Sequence, residues 1–354
     1  MSSLIDISSL SLNPKEADQV NQAIFERVIT GGKLESYHDI WEGITMKEQI
    51  VFIGALSEVG KVIANCSFTD GGQQVPFSQK YWEPVMVGGR LIHCAKDVNA
   101  LLKLFKKASK VNPDYFDRIG SEELGVVALR LEQAIESMLN RLVWFGDTAA
   151  ADVSGGGVYT NGTDVDYYNA FDGLFKQVFA EVTGSNKVEI TENAGSSYAA
   201  QALPADAALA YFRSCYKAQK PVMHQARSAG ATVKFLVTRE IAENYQDTME
   251  DKSLAFMLTR AEQGSDSMQY RGIEIEIRDD WDMVIALQDN GTVKNVPHRV
   301  LLTAKENIPV GTLSSTDFDT IESFYDQKDK NNYMDFAMTI DAKLLEADLA
   351  VAAY

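Results

Sequence analysis

Between Ser121 and Leu142 the apolar residues Leu124, Val127, Leu131, Ile135, Met138 and Leu142 recur at spacings of three and four. That is the period of an α-helix, and it sets them along one stripe. Ser121 is placed to cap the start, and Glu122 and Glu123 fall in the first turn, where the helix dipole favours negative charge. The pattern predicts one long amphipathic helix over residues 121–147 that stops abruptly at Trp144-Phe145-Gly146-Asp147. At about 1.5 Å per residue, the part from Ser121 to Leu142 spans roughly 33 Å, enough to cross a domain.

The same period predicts a short helix over residues 14–30, with Val20, Ile24 and Val28 on one face, and another over 46–63 through Ile50, Ile53, Leu56 and Val59. A polar link containing Trp41 separates them, after Gly31-Gly32. From Cys66 to Lys96 the character changes. Asp70-Gly71-Gly72 and Gly88-Gly89 are turn signals, and Val75, Phe77, Tyr81, Trp82 and Val85 lie between them with Pro76 and Pro84. This predicts extended segments in a long hairpin or loop. Its apolar side chains either meet a partner or fold back onto their own core.

Residues 97–109 again have helical spacing, and 149–157, ending in three glycines, read as a flexible connector and a domain boundary. Further helices are expected at 166–182, at 204–217 with Pro204 in the first turn, and from a Thr238 cap to about Thr248. Strands are expected at 232–237, 271–278, 281–287, 299–303 and 334–341, followed by an apolar-rich run over 344–354. In 271–278 the alternation is clean, with Ile273, Ile275 and Ile277 on one face and Glu274 and Glu276 on the other. Helices and strands mix without regular βα alternation, so the fold class is α+β rather than a doubly wound parallel sheet.

The chain has 354 residues, 45% hydrophobic and 23% charged, which is the composition of a folded protein with a substantial core. Its net charge of −17 argues against gripping nucleic acid through the phosphates, which needs a basic surface. Lys103, Lys106, Lys107 and Lys110 are the one local exception, and the solvated face of a helix accounts for them. Cys66, Cys94 and Cys215 are odd in number and far apart, with no CxxC pair, so a reducing compartment fits and a disulfide scaffold does not. No basic segment followed by an apolar one opens the chain, and no apolar run approaches the ~20 residues that span a bilayer. A protein made in a cytoplasm, with no membrane partner, is expected.

The candidate chemistry is sparse. Gly54 to Lys61 invites comparison with a phosphate loop, but five residues separate Gly54 from Gly60 and Val62 follows Lys61, where the motif needs four and a Ser or Thr. The four histidines, His38, His93, His224 and His298, fall in unrelated segments, with no HExxH and no GxSxG. Cys94 reads as a buried structural thiol. Asp152, Asp164 and Asp166 lack the spacing and terminal Glu of a calcium loop. Glu274 and Glu276 could do acid–base work as a pair, but on an alternating strand they read as the wet face. No catalytic, cofactor or metal residue is expected.

The order of the features resembles one family, over residues 46–354. Four stretches carry the likeness: Trp82-Glu83-Pro84 in the hairpin; Arg141-Leu-Val-Trp-Phe-Gly-Asp-Thr148 at the end of the long helix; Ala170-Phe-Asp-Gly-Leu174 after it; and a C-terminal series. That series is Val233-Lys-Phe-Leu-Val-Thr238, Tyr270-Arg-Gly-Ile-Glu-Ile-Glu276, Leu301 to Gly311, and Phe336-Ala-Met-Thr-Ile-Asp-Ala-Lys343. Together they are similar to the major capsid proteins of tailed bacteriophages, the Hong Kong 97-type shell fold.

The resemblance implies an N-terminal arm (1–45), a helix and extended-loop region (46–110), a peripheral domain with the spine helix (111–164), an axial domain (165–300) and returning C-terminal strands (301–354). It implies a structural protein of the virion that assembles with itself, as hexamers and pentamers, into an icosahedral shell around double-stranded DNA it does not specifically bind. Scaffolding, portal and decoration proteins are the further partners it implies, and no cofactor. The alternatives are an encapsulin-like compartment on the same fold and an enzyme whose site is built from scattered residues. Tyr81, Trp82, Pro84, Leu131, Ile135, Trp144 and Phe145 are the residues expected to matter for assembly.

Overall fold

The computed structural model describes residues 33–53, 77–94, 122–150, 165–251, 268–287, 289, 291–313, 322–326 and 331–354. The expected helices at 14–30 and 97–109, all but the first two residues of the connector expected at 149–157, the Lys103–Lys110 cluster and the Gly54–Lys61 segment lie outside them. In chain order the described elements are α1 (Lys33–Tyr37), β1 (Ile40–Glu42), β2 (Gln49–Ile53), β3 (Phe77–Tyr81), β4 (Val85–Cys94), α2 (Glu122–Phe145), α3 (Leu174–Glu181), β5 (Lys187–Val188), α4 (Tyr198–Gln201), α5 (Ala207–Ala218), α6 (Pro221–Ser228), β6 (Val233–Val237), α7 (Arg239–Asp251), β7 (Met268–Tyr270), β8 (Ile273–Ile277), α8 (Asp279–Leu287), β9 (Val300–Ala304), β10 (Val310–Thr312), β11 (Glu322–Asp326), β12 (Asn331–Ala342) and β13 (Ala350–Ala353). The mixture is α+β, as the sequence pattern requires.

The long helix is α2, 24 residues, about 36 Å at 1.5 Å per residue. Ile135, Met138 and Leu142 of the predicted stripe are buried, together with Leu139 and Val143. Leu124, Val127 and Leu131 lie on α2, but their side chains are outside the described residues.

Two larger sheets and a ribbon organise the rest. The first sheet runs β1-β10-β12-β11, with β4 also paired to β12. The second runs β5-β13-β9-β6-β8-β7, with the β6–β8 and β5–β13 pairs parallel and the others antiparallel. The second sheet is a partition between two cores. Leu301, Ala350, Ala352 and Leu236 point to a core built on α2, α3 and α8, while Val300, Leu302, Val351, Ala353, Phe235 and Val237 point to one built on α5 and α7. Strands buried on both faces read as unbroken apolar runs, and VLLTA and AVAA do. Nearer the edge, β8 buries Ile273 and Ile275 and leaves Glu274 and Glu276 half-exposed around Lys234, at 3.3 and 3.1 Å.

Several expectations are corrected. The polar link around Trp41 contains α1 and β1, because β1 is recruited into the first sheet alongside β10. Residues 49–53 are not helical. Gln49-Ile-Val-Phe-Ile53 is a β-branched run that pairs with β3 to form the ribbon, which the three-residue spacing of Ile50 and Ile53 concealed. Gly88-Gly89 is not a turn. It lies within β4 opposite Ala337 and Phe336, where a Cβ on Gly88 would meet the Phe336 carbonyl oxygen at 2.3 Å.

Residues 281–287 are helical, not a strand. Asp279, Asp280 and Asp282 fill the first turn of α8 and favour the helix dipole, and Trp281, Val284 and Ile285 share its buried face. The helix expected from Asp166 starts at Leu174, after a single 3-10 turn at Val165–Tyr167. The one expected from Pro204 starts at Ala207, because Asp206 adopts a left-handed φ of 63°.

Ile135 is fully buried in the core that joins α2 to the sheets. Ile135→Ala is expected to cost about 2–5 kcal/mol in urea unfolding, and Ile135→Asp to abolish soluble folded protein. A well-folded Ile135→Asp variant would mean that the stripe faces elsewhere.

Candidate functional site

The long helix ends against another chain segment, backbone to backbone. The Gly146 N–H donates to Leu142 O at 2.9 Å, the Gly173 N–H to Gly146 O at 2.8 Å, and the Asp147 N–H to Tyr168 O at 2.8 Å. Neither glycine has room for a side chain. A Cβ at Gly146 would lie 2.4 Å from Phe171 O, and one at Gly173 would lie 2.6 Å from Gly146 N and 2.8 Å from Leu142 O. This crossing is why the helix expected from Asp166 waits until Leu174.

A charged latch holds the crossing. The buried Asp147 carboxylate receives Lys176 Nζ at 2.6 Å and the Ala149 N–H at 2.8 Å. The same ammonium reaches Asp172 at 2.7 Å, and Asp172 also accepts from the Thr148 N–H and hydroxyl. Burial opposes both charges, but these hydrogen bonds prevail: they hold Asp172 below the usual carboxylate range and raise the Lys176 ammonium above its own.

Inside the crossing sits an aromatic cluster. Trp144 packs on Trp281 at 4.7 Å, Phe175 at 5.3 Å and His38 at 5.2 Å between ring centroids, and Phe145 packs edge-on against Phe175 at 5.0 Å. Two buried guanidiniums flank it. Arg278 stands 3.7 Å over Tyr37 and 5.2 Å over Trp144, and its outer edge forks onto Asp280 at 2.8 and 2.5 Å. Arg299 stands 4.3 Å over Phe175 and 5.0 Å over Phe145, and donates to the carbonyls of Val296 and Asn295. Desolvated cation–π contacts of this kind contribute up to about 2 kcal/mol each. His38 donates through Nδ1 to Ile308 O at 2.8 Å, and burial, with Arg278 next to it, pulls its imidazole down to about 3, so it is neutral.

The segment around Trp82, expected as a hairpin or loop, is a separate place, and its strands do not pair with each other: β3 pairs with β2 and β4 with β12. Trp82 is buried with Ile44 and Ile50 and meets Trp41 at 5.7 Å, so its ring folds back onto its own chain. Gly311 makes room for it, since a Cβ there would lie 2.6 Å from Ile44 and 3.0 Å from Trp82. Pro84 is buried as well. Tyr81 and Met86 are the large apolar side chains that remain outside, 42% and 73% exposed. Tyr81 lines an open cleft of about 480 Å³ together with Lys80, Glu83, Asp172, Glu181 and Lys343.

Trp144 and Phe145 are thus brought together, Ile135 lies further back on the same helix, and Tyr81, Trp82 and Pro84 form a second locus. The partners of the helix end were not legible. Arg278 and Arg299 look like ordinary strand-flanking cations, and only Gly173, within the 170–174 stretch, carried a signal. Of the other residues weighed for chemistry, His298 is buried, donating to Gln201 O at 2.6 Å, His224 is exposed, and Cys215 is a buried thiol pushed up to about 12 by desolvation. The side chains of His93 and Cys94, and Asp152 and Asp164 altogether, lie outside the described residues. Among the described residues no group of three or more His, Cys, Asp or Glu is placed to hold a metal, and no helix is long and apolar enough to cross a membrane.

No family model matches the sequence. No curated protein matches it as a relative. Solved structures do match. A chain of the satellite phage P4 procapsid, determined with its size determination (Sid) protein, superposes with a TM-score of 0.50 at 11% identity, covering 95% of this chain and 98% of that one. The chain has the Hong Kong 97-type shell fold. A chain from Gordonia phage Cozz (TM-score 0.48, 8% identity, 90% of this chain and 84% of that one) and the SrpI encapsulin of Synechococcus elongatus PCC 7942 (0.45, 10%, 90% and 85%) are more distant. The shell fold is assigned on the procapsid chain.

Two measurements test the joint of this shell fold. Gly173→Ala drives a methyl into three backbone atoms, so it is expected to cost about 2–3 kcal/mol or more; a loss under about 0.5 kcal/mol would show that the crossing is not tight. Asp282 caps α7 by accepting the Arg239 N–H at 2.8 Å, and burial, then repulsion from Asp279 and Glu240, lifts its carboxyl to about 6, above its ordinary 3.8. The folded state therefore keeps a proton that the unfolded chain releases. That contribution is complete below about pH 4 and is lost as pH rises to about 6. Asp282→Asn should flatten the fall in stability of the purified chain between those values; an unchanged slope would assign it to other groups.

Proposed function

We propose that the chain is the major capsid protein of a tailed bacteriophage. Copies of it form hexamers and pentamers that close into an icosahedral shell around double-stranded DNA, assembled in the host cytoplasm. The observation that carries this reading is the superposition on a procapsid chain over nearly the whole of both chains. The core supports it, because a shell subunit needs a stiff body, and the joint at Gly146 fixes the long helix to both sheets. The net charge of −17 suits a container that must release its DNA rather than bind it.

In this reading residues 1–45 are the arm, 46–110 the extended-loop region, 111–164 and 165–300 the peripheral and axial domains, and 301–354 the returning strands. The chemistry is mechanical. Tyr81 and Met86, exposed in the segment around Trp82, are available to a neighbouring copy, while Trp82, Pro84, Ile135, Leu131, Trp144 and Phe145 act through the rigidity of the subunit. Scaffolding, portal and decoration proteins are its further partners, and no catalytic turnover is part of the role.

Electron microscopy of the purified full-length chain, expressed alone and with its neighbouring genes, is expected to show polyhedral particles. A strictly single-subunit species at high concentration in both preparations would overturn the reading. Particles filled with a protein cargo and no DNA would turn it into the encapsulin alternative.

A further inference from the structure

The half of the molecule built on α5 and α7 separates its charges. From Ala207 to Thr238 the sequence has Arg213, Lys217, Lys220, Arg227 and Lys234 and no carboxylate, in a chain where Asp and Glu outnumber Lys and Arg by 50 to 33. Arg213 and Lys217 stand four apart on α5, on one exposed face. The turn between β7 and β8 joins them. Arg271 adopts a left-handed φ of 51° and lays its guanidinium 4.8 Å over Tyr216 of α5, and Arg227 of α6 donates to Gly272 O at 2.9 Å. Val222 of α6 is exposed on the same helix pair.

Most other described cations are ion-paired, among them Lys80, Arg90, Lys176, Lys234 and Lys343. Arg213, Lys217, Arg227 and Arg271 have no such partner among the described residues, although carboxylates are plentiful.

The opposite sign is collected on α7. Glu243, Asp247 and Glu250 recur at i, i+4 and i+7 on its exposed face, with Glu240 and Asp251 beside them. Glu240, Glu243 and Asp247 line an open cleft of about 320 Å³ together with Lys294, which stands 3.8 Å from Glu240, and Arg239 stands 3.8 Å from Glu243; the exposed ring of Tyr198 is on the rim. Among the described residues no ion pair joins this acidic face to the basic one within the subunit.

We propose that the acidic α7 face of one copy docks on the basic face formed by α5, α6 and the β7–β8 turn of the next copy. The inference rests on the shell reading and names the contact that builds its rings. Because the two faces differ, the contact is head-to-tail, and repetition about an axis closes a ring rather than a two-fold pair. Asp247 and Glu250, which no ion pair engages among the described residues, receive basic side chains of the neighbour. Complementary faces also set the register, since a slipped or inverted copy would oppose like charges.

Two full-length variants test this, each reversing one face at exposed positions: R213E/K217E and E243K/D247K. Each alone is expected to keep the wild-type circular dichroism and melting profile while its sedimenting shell fraction falls at least about tenfold. Combined in one chain, the four substitutions exchange the signs of the two faces and are expected to restore assembly, because every contact in a ring of five or six is again acidic against basic. A two-residue variant that assembles like the wild type, or a folded four-residue variant that does not assemble, would overturn the proposal while leaving the shell reading intact. Normal shells of R213E/K217E that fail to retain double-stranded DNA would overturn it too, and would assign the basic face to nucleic acid. Wild-type protein that never assembles would remove the shell reading and this contact together.

Discussion

Gly146 and Gly173 allow two segments to cross with their backbones in direct contact, and that closeness drives Trp144 and Phe145 into a space already bounded by two guanidiniums. Burying a cation costs several kcal/mol unless its N–H groups and charge are answered. Here Asp280 and backbone carbonyls answer the Nε and Nη2 edges and aromatic faces answer the planes, while Arg278 Nη1 has no hydrogen-bond partner among the described residues. The asymmetry matters more than the net gain. Once both arginines are enclosed, displacing a ring or opening the crossing leaves a charge stranded, so the orientation of the long helix is fixed by the cost of any other arrangement.

That fixed orientation reaches both sheets. Trp281 carries it into α8, Leu301 and Ala352 into the second sheet, and Phe336 and Ile340 into the first, all in one continuous core. The second sheet then passes the constraint through its own thickness, because β9 and β13 send alternate side chains to opposite cores. A layer packed tightly on both faces transmits displacement rather than absorbing it. Among the described residues, most large apolar side chains are spent on this stiffness.

Some of this was readable along the chain. The Ile135, Met138 and Leu142 part of the α2 stripe was legible because the pattern is periodic and ends in a glycine, and β8 because edge burial preserves alternation. Where tertiary context overrode local pattern, the reading failed. Residues 49–53 owe their strand to pairing with β3, more than twenty residues downstream, and 281–287 are helical because Trp281 must face the cluster while three aspartates start the helix. The paired glycines at 88–89 marked close approach of a facing strand rather than a turn. The rings of the expected hairpin posed a choice that composition could not make, and Trp82 went inward only because Gly311 leaves it space. The buried arginines gave no signal, since nothing in the sequence distinguishes a cation stacked on rings from a solvated one.

The strand order also sets a clock. β1 finds its parallel partner β10 some 270 positions later, and β13, residues 350–353, is inserted between β5 and β9 rather than added at an edge. Pairings this distant in sequence make folding slow. On a ribosome neither sheet can be completed until the last of these strands has emerged, so the core that orients every outward face is finished late. For the proposed shell, contacts between copies therefore wait until β13 has paired with β5 and β9, with the chain's own topology as the timer.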